Sequence, residues 1–231
     1  EPVMPFRPAL LSLALLAALP TAAQAARGLD VRDQATLDRV SAPTLSPDGR
    51  KVVYANRVVD FAANKSSTAL WNEDLASRDA APPVRLTPDG WNVNSPAFSP
   101  DGATVYFLSA KSGSSQLYSI PAAGGTPTQL TSLPLDVDAF LLSPDGARVA
   151  LAMGAYPDCT TDLACTRKRL DDTAARKASG VVFDRIFIRH WDTWADGRLN
   201  RLFVAPLGAT PATTATLVGG DVLGDVPSKP F

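Results

Sequence analysis

The four residues Ser46-Pro47-Asp48-Gly49 occur three times in this chain, and that recurrence limits the fold more than any other feature. They return as Ser99-Pro100-Asp101-Gly102 and as Ser143-Pro144-Asp145-Gly146. Each copy follows an apolar residue (Leu45, Phe98, Leu142) and precedes a β-rich apolar run at 52–54, 105–108 or 149–151. Proline presets φ for the second position of a type I turn, serine and aspartate bond the local backbone, and glycine accepts φ > 0 at the exit. Such a turn joins two antiparallel strands as a hairpin. The copies lie roughly 50 residues apart, a period that points to a repeat architecture, with β-propeller blades as the leading form.

The second repeat lays out a whole blade. Strands are predicted at 94–98, 104–110, 116–120 and 126–130, with Gly124-Gly125 as a hairpin turn. Gln116-Leu117-Tyr118-Ser119-Ile120 alternates polar and apolar, as a half-buried strand does. The first repeat has corresponding runs at 43–45, 51–59, 68–75 and 84–87, after a weakly helical stretch at 29–40. In the third, strands at 138–142 and 148–153 are separated from 200–204 and 215–218 by an insertion, residues 156–197. Within it, 168–179 reads as a helix with an Asp172–Arg176 pair at i, i+4 and Gly180 as C-cap, and 181–191 reads as extended. The expected fold is all-β: an incomplete propeller of about three four-stranded blades over 43–231, after a lead-in at 26–42. Three blades do not close a ring, so further blades are expected in a longer protein.

Met4, Arg7, the apolar run from Ala9 to Leu19 and the small-residue stretch ending Ala23-Gln24-Ala25 form a secretory signal, residues 1–25. Glu1-Pro2-Val3 precede the expected initiator Met4. The apolar run is shorter than the 20 or so residues a bilayer requires. The expected location is the periplasm or beyond, with no membrane attachment after cleavage. In that setting Cys159 and Cys165 most simply form a disulfide. Zinc binding is the alternative, but there is no Cys-x-x-Cys pair, and the single histidine, His190, lies well beyond them. A net charge of −1 gives no support for a nucleic-acid or membrane-surface partner.

No G-x-S-x-G is present, and the nearest run, Gly113-Ser114-Ser115-Gln116-Leu117, ends in leucine. No complete nucleophile–base–acid set is expected in this chain. The repeated Asp48, Asp101 and Asp145, each with its glycine (Gly49, Gly102, Gly146), are explained by turn chemistry and offer one carboxylate each, too few for a calcium loop. No cofactor or metal is expected. The most distinctive polar cluster runs from Arg189 to Gly197 and holds His190, Trp191, Asp192 and Trp194. It has two readings: tryptophans packing the insertion, or a rim facing substrate or a partner domain.

The signal segment, the repeated turns, Tyr156-Pro157-Asp158-Cys159 with Cys165, and Ile188-Arg189-His190-Trp191-Asp192-Thr193-Trp194 together resemble the N-terminal propeller of exported bacterial prolyl oligopeptidase family serine peptidases, of the dipeptidyl aminopeptidase/acylaminoacyl-peptidase type. The resemblance implies a C-terminal α/β-hydrolase domain that carries the catalytic triad, short peptides as substrates, and a propeller that gates access without breaking bonds itself. No catalytic residue carries over to this chain. A protein-binding periplasmic propeller of the Tol-B-like kind shares the turn motif and is the alternative.

Overall fold

Each Ser-Pro-Asp-Gly segment closes through one set of hydrogen bonds, repeated three times. In the first, Gly49 N donates to Ser46 O at 2.8 Å, and Ser46 Oγ donates to Asp48 Oδ1 at 2.6 Å. Asp48 Oδ1 also accepts from Arg50 N at 3.0 Å, and Lys51 N donates to Ser46 Oγ at 2.9 Å. Ser99, Asp101, Ala103 and Thr104 repeat the pattern, as do Ser143, Asp145, Ala147 and Arg148. The three glycines sit at φ of 69°, 72° and 68°. At Gly102 a Cβ would also meet Pro47 Cδ at 3.2 Å, so the turns of neighbouring blades touch.

These bonds have a pH signature. The serine hydroxyl, then the backbone N–H two residues on, holds each of Asp48, Asp101 and Asp145 below the usual carboxylate range. A lowered folded-state pKa means that the folded chain binds fewer protons than the unfolded one. The stabilisation is therefore complete above the ordinary carboxylate pKa, about 3.9, and is lost as pH falls through the lowered values. In urea titrations between pH 6 and pH 2, the combined Asp48→Asn, Asp101→Asn and Asp145→Asn variant is expected to lose less stability on acidification than the parent. Parallel acid limbs would remove the turns from the account of acid stability.

The computed structural model describes residues 28–76, 82–159, 161–178, 180–183, 189–190, 193–194 and 196–219, with backbone alone at His190 and Thr193. The expected signal segment, Trp191 and Asp192 lie outside these residues. Two compact units divide the chain, Glu1–Gln34 and Ala35–Phe231. A short helix, α1 (Val31–Thr36), starts where Asp30 and Asp33 cap each other: Asp33 N donates to Asp30 Oδ1 at 2.9 Å and Asp30 N to Asp33 Oδ2 at 3.0 Å.

Three four-stranded antiparallel sheets follow. The first is β1 (Arg39–Leu45), β2 (Lys51–Asp60), β3 (Lys65–Asp74) and β4 (Val84–Arg85), in that order. The second is β5 (Val93–Phe98), β6 (Thr104–Ser109), β7 (Gln116–Pro121) and β8 (Thr128–Gln129). The third joins β9 (Ala139–Leu142) and β10 (Arg148–Ala155) to β13 (Leu199–Pro206) and β14 (Thr216–Leu217), across the insertion. These are the blades of an incomplete propeller. β1 begins at Arg39, inside the stretch expected to be lead-in. In the first two blades the first strand shifts register across Ala42-Pro43 or Ser95-Pro96, where Ala42 and Ser95 take φ of 49° and 52°. The third blade has neither proline, and β9 pairs regularly with β10.

The core lies between blades. Val53, Leu70 and Leu86 of the first meet Val105, Phe107, Tyr118 and Ile120 of the second. Leu108, Leu117, Leu133 and Leu135 meet Val149, Leu151, Met153 and Phe203 of the third. The middle blade is therefore covered on both faces, which corrects the half-buried reading of β7. Gln116 is 1 % exposed, on the same side of the strand as Tyr118 by alternation yet capped by the linker to the third blade. Trp91 sets its edge against Tyr118 at 5.2 Å, and Phe107 stacks on Tyr118 at 5.9 Å, an arrangement that adds to area burial.

The helix of the insertion, α2, runs over Leu163–Ala174, five residues earlier than its expected bounds. Asp162 caps it by accepting from Ala164 N at 2.9 Å. The Asp162 cap and the burial of Leu163 and Thr166 set its start ahead of the expected Lys168. Arg167–Asp171 and Lys168–Asp172 are the i, i+4 pairs formed, in place of Asp172–Arg176. The helix ends at Ala175, whose N–H reaches Asp171 O, so Gly180 is no cap.

Candidate functional site

The insertion leaves β10 at Tyr156 and is tied down at once. Tyr156 N donates to Thr166 Oγ1 at 3.2 Å. Pro157–Cys159 makes a 3-10 turn, and a disulfide joins Cys159 to Cys165 with Cα atoms 5.4 Å apart. Cys159 is buried. Arg169, one turn further along α2, forms a forked ion pair with Asp158, with Nη1 to Oδ1 at 2.9 Å, and its guanidinium lies 5.1 Å from the centre of the Tyr156 ring. Hydrogen bonding from Arg169 holds Asp158 below its usual range and in turn raises Arg169. Burial, followed by the Asp196 carboxylate, pushes the Tyr156 phenol up.

The returning end is fixed in the same place. Gly197, at φ +89°, passes Tyr156 so closely that a Cβ would lie 3.6 Å from its ring. Asp196 accepts from Arg198 Nε at 2.7 Å and from Arg198 N at 3.0 Å. The two ends of the insertion thus share one knot of Tyr156, Asp158, Arg169, Asp196 and Arg198.

Between them, β11 (Arg189–His190) pairs with β12 (Thr193–Trp194) as a small hairpin, placing Arg189 opposite Trp194 and His190 opposite Thr193. Trp194 is 56 % exposed. It stacks on Phe183 at 5.6 Å and carries the Arg189 guanidinium 5.2 Å from its ring centre. This is a shelf of two aromatic rings and a cation standing in solvent. Such a surface holds a ligand by stacking and by polar contact; the side chains described on it include no nucleophile. Of the expected rim residues, the structure brings Trp194 into this shelf and His190 into its hairpin backbone. The turn aspartates stand elsewhere, between first and second strands of each blade.

Three residues escaped the sequence reading. Arg201 on β13 is buried, and its Nε and Nη1 meet no partner among the described residues. Its signal was the alternation that places it on the inward side with Phe203. Thr87 and Thr131, each following a leucine, are buried and accept from Leu70 N and Leu117 N at 2.9 Å. Their signal was a second repeat, Leu-Thr, each threonine standing 14 residues before the turn aspartate of the following blade, Asp101 or Asp145.

No family model matches the chain. Over 201 residues the sequence is 30 % identical to dipeptidyl-peptidase 5 of Porphyromonas gingivalis, covering 85 % of this chain and 27 % of that protein. The protein of the same name from Porphyromonas endodontalis is 29 % identical over 198 residues, covering 84 % and 27 %. The chain thus spans about a quarter of the length of the curated relatives it matches. Among solved structures, an acylaminoacyl peptidase in complex with Z-Gly-Gly-Phe-chloromethyl ketone superposes with a TM-score of 0.58 at 12 % identity, covering 81 % of this chain and 26 % of that one. The acylaminoacyl peptidase of Pyrococcus horikoshii gives 0.55 at 14 % identity, covering 78 % and 25 %. These superpositions show a shared fold.

Proposed function

We propose that this chain, a propeller portion of the prolyl oligopeptidase peptidase kind, gates a serine peptidase that releases dipeptides or acylated residues from short peptides. The bond-breaking α/β-hydrolase domain belongs to the rest of a longer protein. The observation that carries this reading is the match to two dipeptidyl-peptidases along 84–85 % of the chain. The inserted shelf supports it: a long insertion in a compact domain often carries function, and here its described residues present Phe183, Arg189 and Trp194 together. The protein is exported to the periplasm or beyond with residues 1–25 removed, and a disulfide suits that compartment.

In this reading the shelf binds substrate and takes no part in the chemistry. In the longer protein, the combined Arg189→Ala and Trp194→Ala variant is expected to raise KM for short peptides by about 3–10-fold with kcat retained, as loss of one stacked or cation–π contact of about 1 kcal/mol implies. Steady-state kinetics on a dipeptidyl chromogenic substrate measures both. Unchanged KM would remove the shelf from the substrate path, and a fall in kcat alone would give it a different role.

A further inference from the structure

A cleft of about 610 Å³ lies between the first and second blades, away from the insertion. The strand register builds its floor. Arg39 on β1 stands directly opposite Arg57 on β2, and Arg57 stands opposite Thr68 on β3. Directly opposed residues share a face of the sheet, so the three form a row, and all three line the cleft. From the second blade, Asn92, Asn94 and Ser95 close the other wall.

Two arginines side by side across a ladder repel each other and destabilise the pair. Nothing in the cleft offsets them. No carboxylate lines it, and among the described residues neither arginine makes an ion pair. Asp38, next in sequence to Arg39, instead accepts from Asn56 Nδ2 at 2.9 Å. Asn56 precedes Arg57 in β2 and so points to the opposite face. The backbone adds a second, independent mark. Among the described residues four non-glycines have left-handed φ, and three of them, Ala42 (49°), Asn92 (48°) and Ser95 (52°), line this one cleft. Backbone held in sparsely populated regions gathers where ligands are clamped.

We infer that this cleft captures the carboxylate of a short peptide, with Arg39 and Arg57 as paired cationic donors. A planar guanidinium matches a carboxylate with two parallel N–H···O bonds, and a bound carboxylate cancels the repulsion the empty pair suffers. The hydroxyl of Thr68 and the amide of Asn94 add neutral hydrogen-bonding groups around it. The volume falls within the range of small-ligand sites. That the carboxylate is a peptide's rests on the proposed peptidase reading; capture of the anion does not.

The test is calorimetric titration of the full-length protein, inactivated with a serine reagent, with four probes: acetyl-triglycine, its C-terminal amide, acetyl-Gly-Asp-Gly-amide and inorganic phosphate. At least one carboxylate-bearing peptide is expected to bind ten-fold or more tightly than the neutral amide, and to weaken as salt is raised. Arg39→Gln with Arg57→Gln is expected to abolish that difference, while Arg39→Lys with Arg57→Lys keeps part of it. Both arginines are exposed, and melts of each variant check that the fold is kept. Preference for acetyl-triglycine assigns the cleft to a peptide C-terminus, and preference for the aspartyl peptide to an acidic side chain. Equal binding of the amide, phosphate binding as tight as either peptide, or affinity unchanged in the glutamine variant would overturn the proposal. Carboxylate binding in a protein whose uninhibited form has no dipeptidyl turnover would keep the cleft and reject the peptidase reading.

Discussion

Replacing Gln116 with leucine is expected to cost the fold about 3–5 kcal/mol, a loss at the upper end for one side chain. Gln116 is buried at the start of β7, and its amide fastens the linker between the second and third blades. Nε2 donates to Leu133 O at 3.2 Å and Leu135 O at 3.0 Å. Oε1 accepts from Leu133 N at 3.0 Å and from Thr131 Oγ1 at 2.8 Å. Leucine fills nearly the same space but leaves those backbone groups without a partner in a site closed to water. Each stranded buried group costs about 1–3 kcal/mol. Thr131→Val breaks the same network one step away, because Thr131 Oγ1 also accepts from Leu117 N. The double variant is therefore expected to lose less than the sum of the two single losses. Urea unfolding of parent, single and double variants measures this. A loss below about 1 kcal/mol for Gln116→Leu would mean that the linker has other partners.

Gln116 also shows where reading a sequence stops. Strand positions were legible because side-chain alternation and turn chemistry are local, and the three turns mark one strand pair in each blade. Which faces are covered is not local. Gln116 and Ser119 mark β7 as half-solvated by pattern, yet the blades on either side bury it. The insertion was legible as a break in rhythm. The bounds of α2 were not, because the decisive groups were a single capping aspartate, Asp162, and two residues, Leu163 and Thr166, whose burial depends on the blade beneath them. The shelf was half legible: His190, Trp191, Asp192 and Trp194 stood out as a cluster, but Phe183 joins Trp194 only by folding back. The Arg39–Arg57 cleft has no motif at all, since its walls come from two blades and its floor from strand register.

The largest effect expected of this protein is catalytic and all-or-none. If these blades gate a peptidase whose triad lies in a separate hydrolase domain, the 231-residue chain alone has no amidase activity, because no nucleophile–base pair is supplied by its repeats. On the proposed reading, the longer protein is expected to turn over dipeptidyl chromogenic substrates, to lose that activity to an active-site serine reagent, and to spare long or folded polypeptides. The most direct measurement compares the two forms on one dipeptidyl p-nitroanilide and on one unfolded protein of more than a hundred residues. Serine-reagent-sensitive turnover of the small substrate by the longer form only, with the large one left intact, is the result this account predicts. Turnover by the 231-residue chain itself, or no peptidase activity in the longer form, would contradict it.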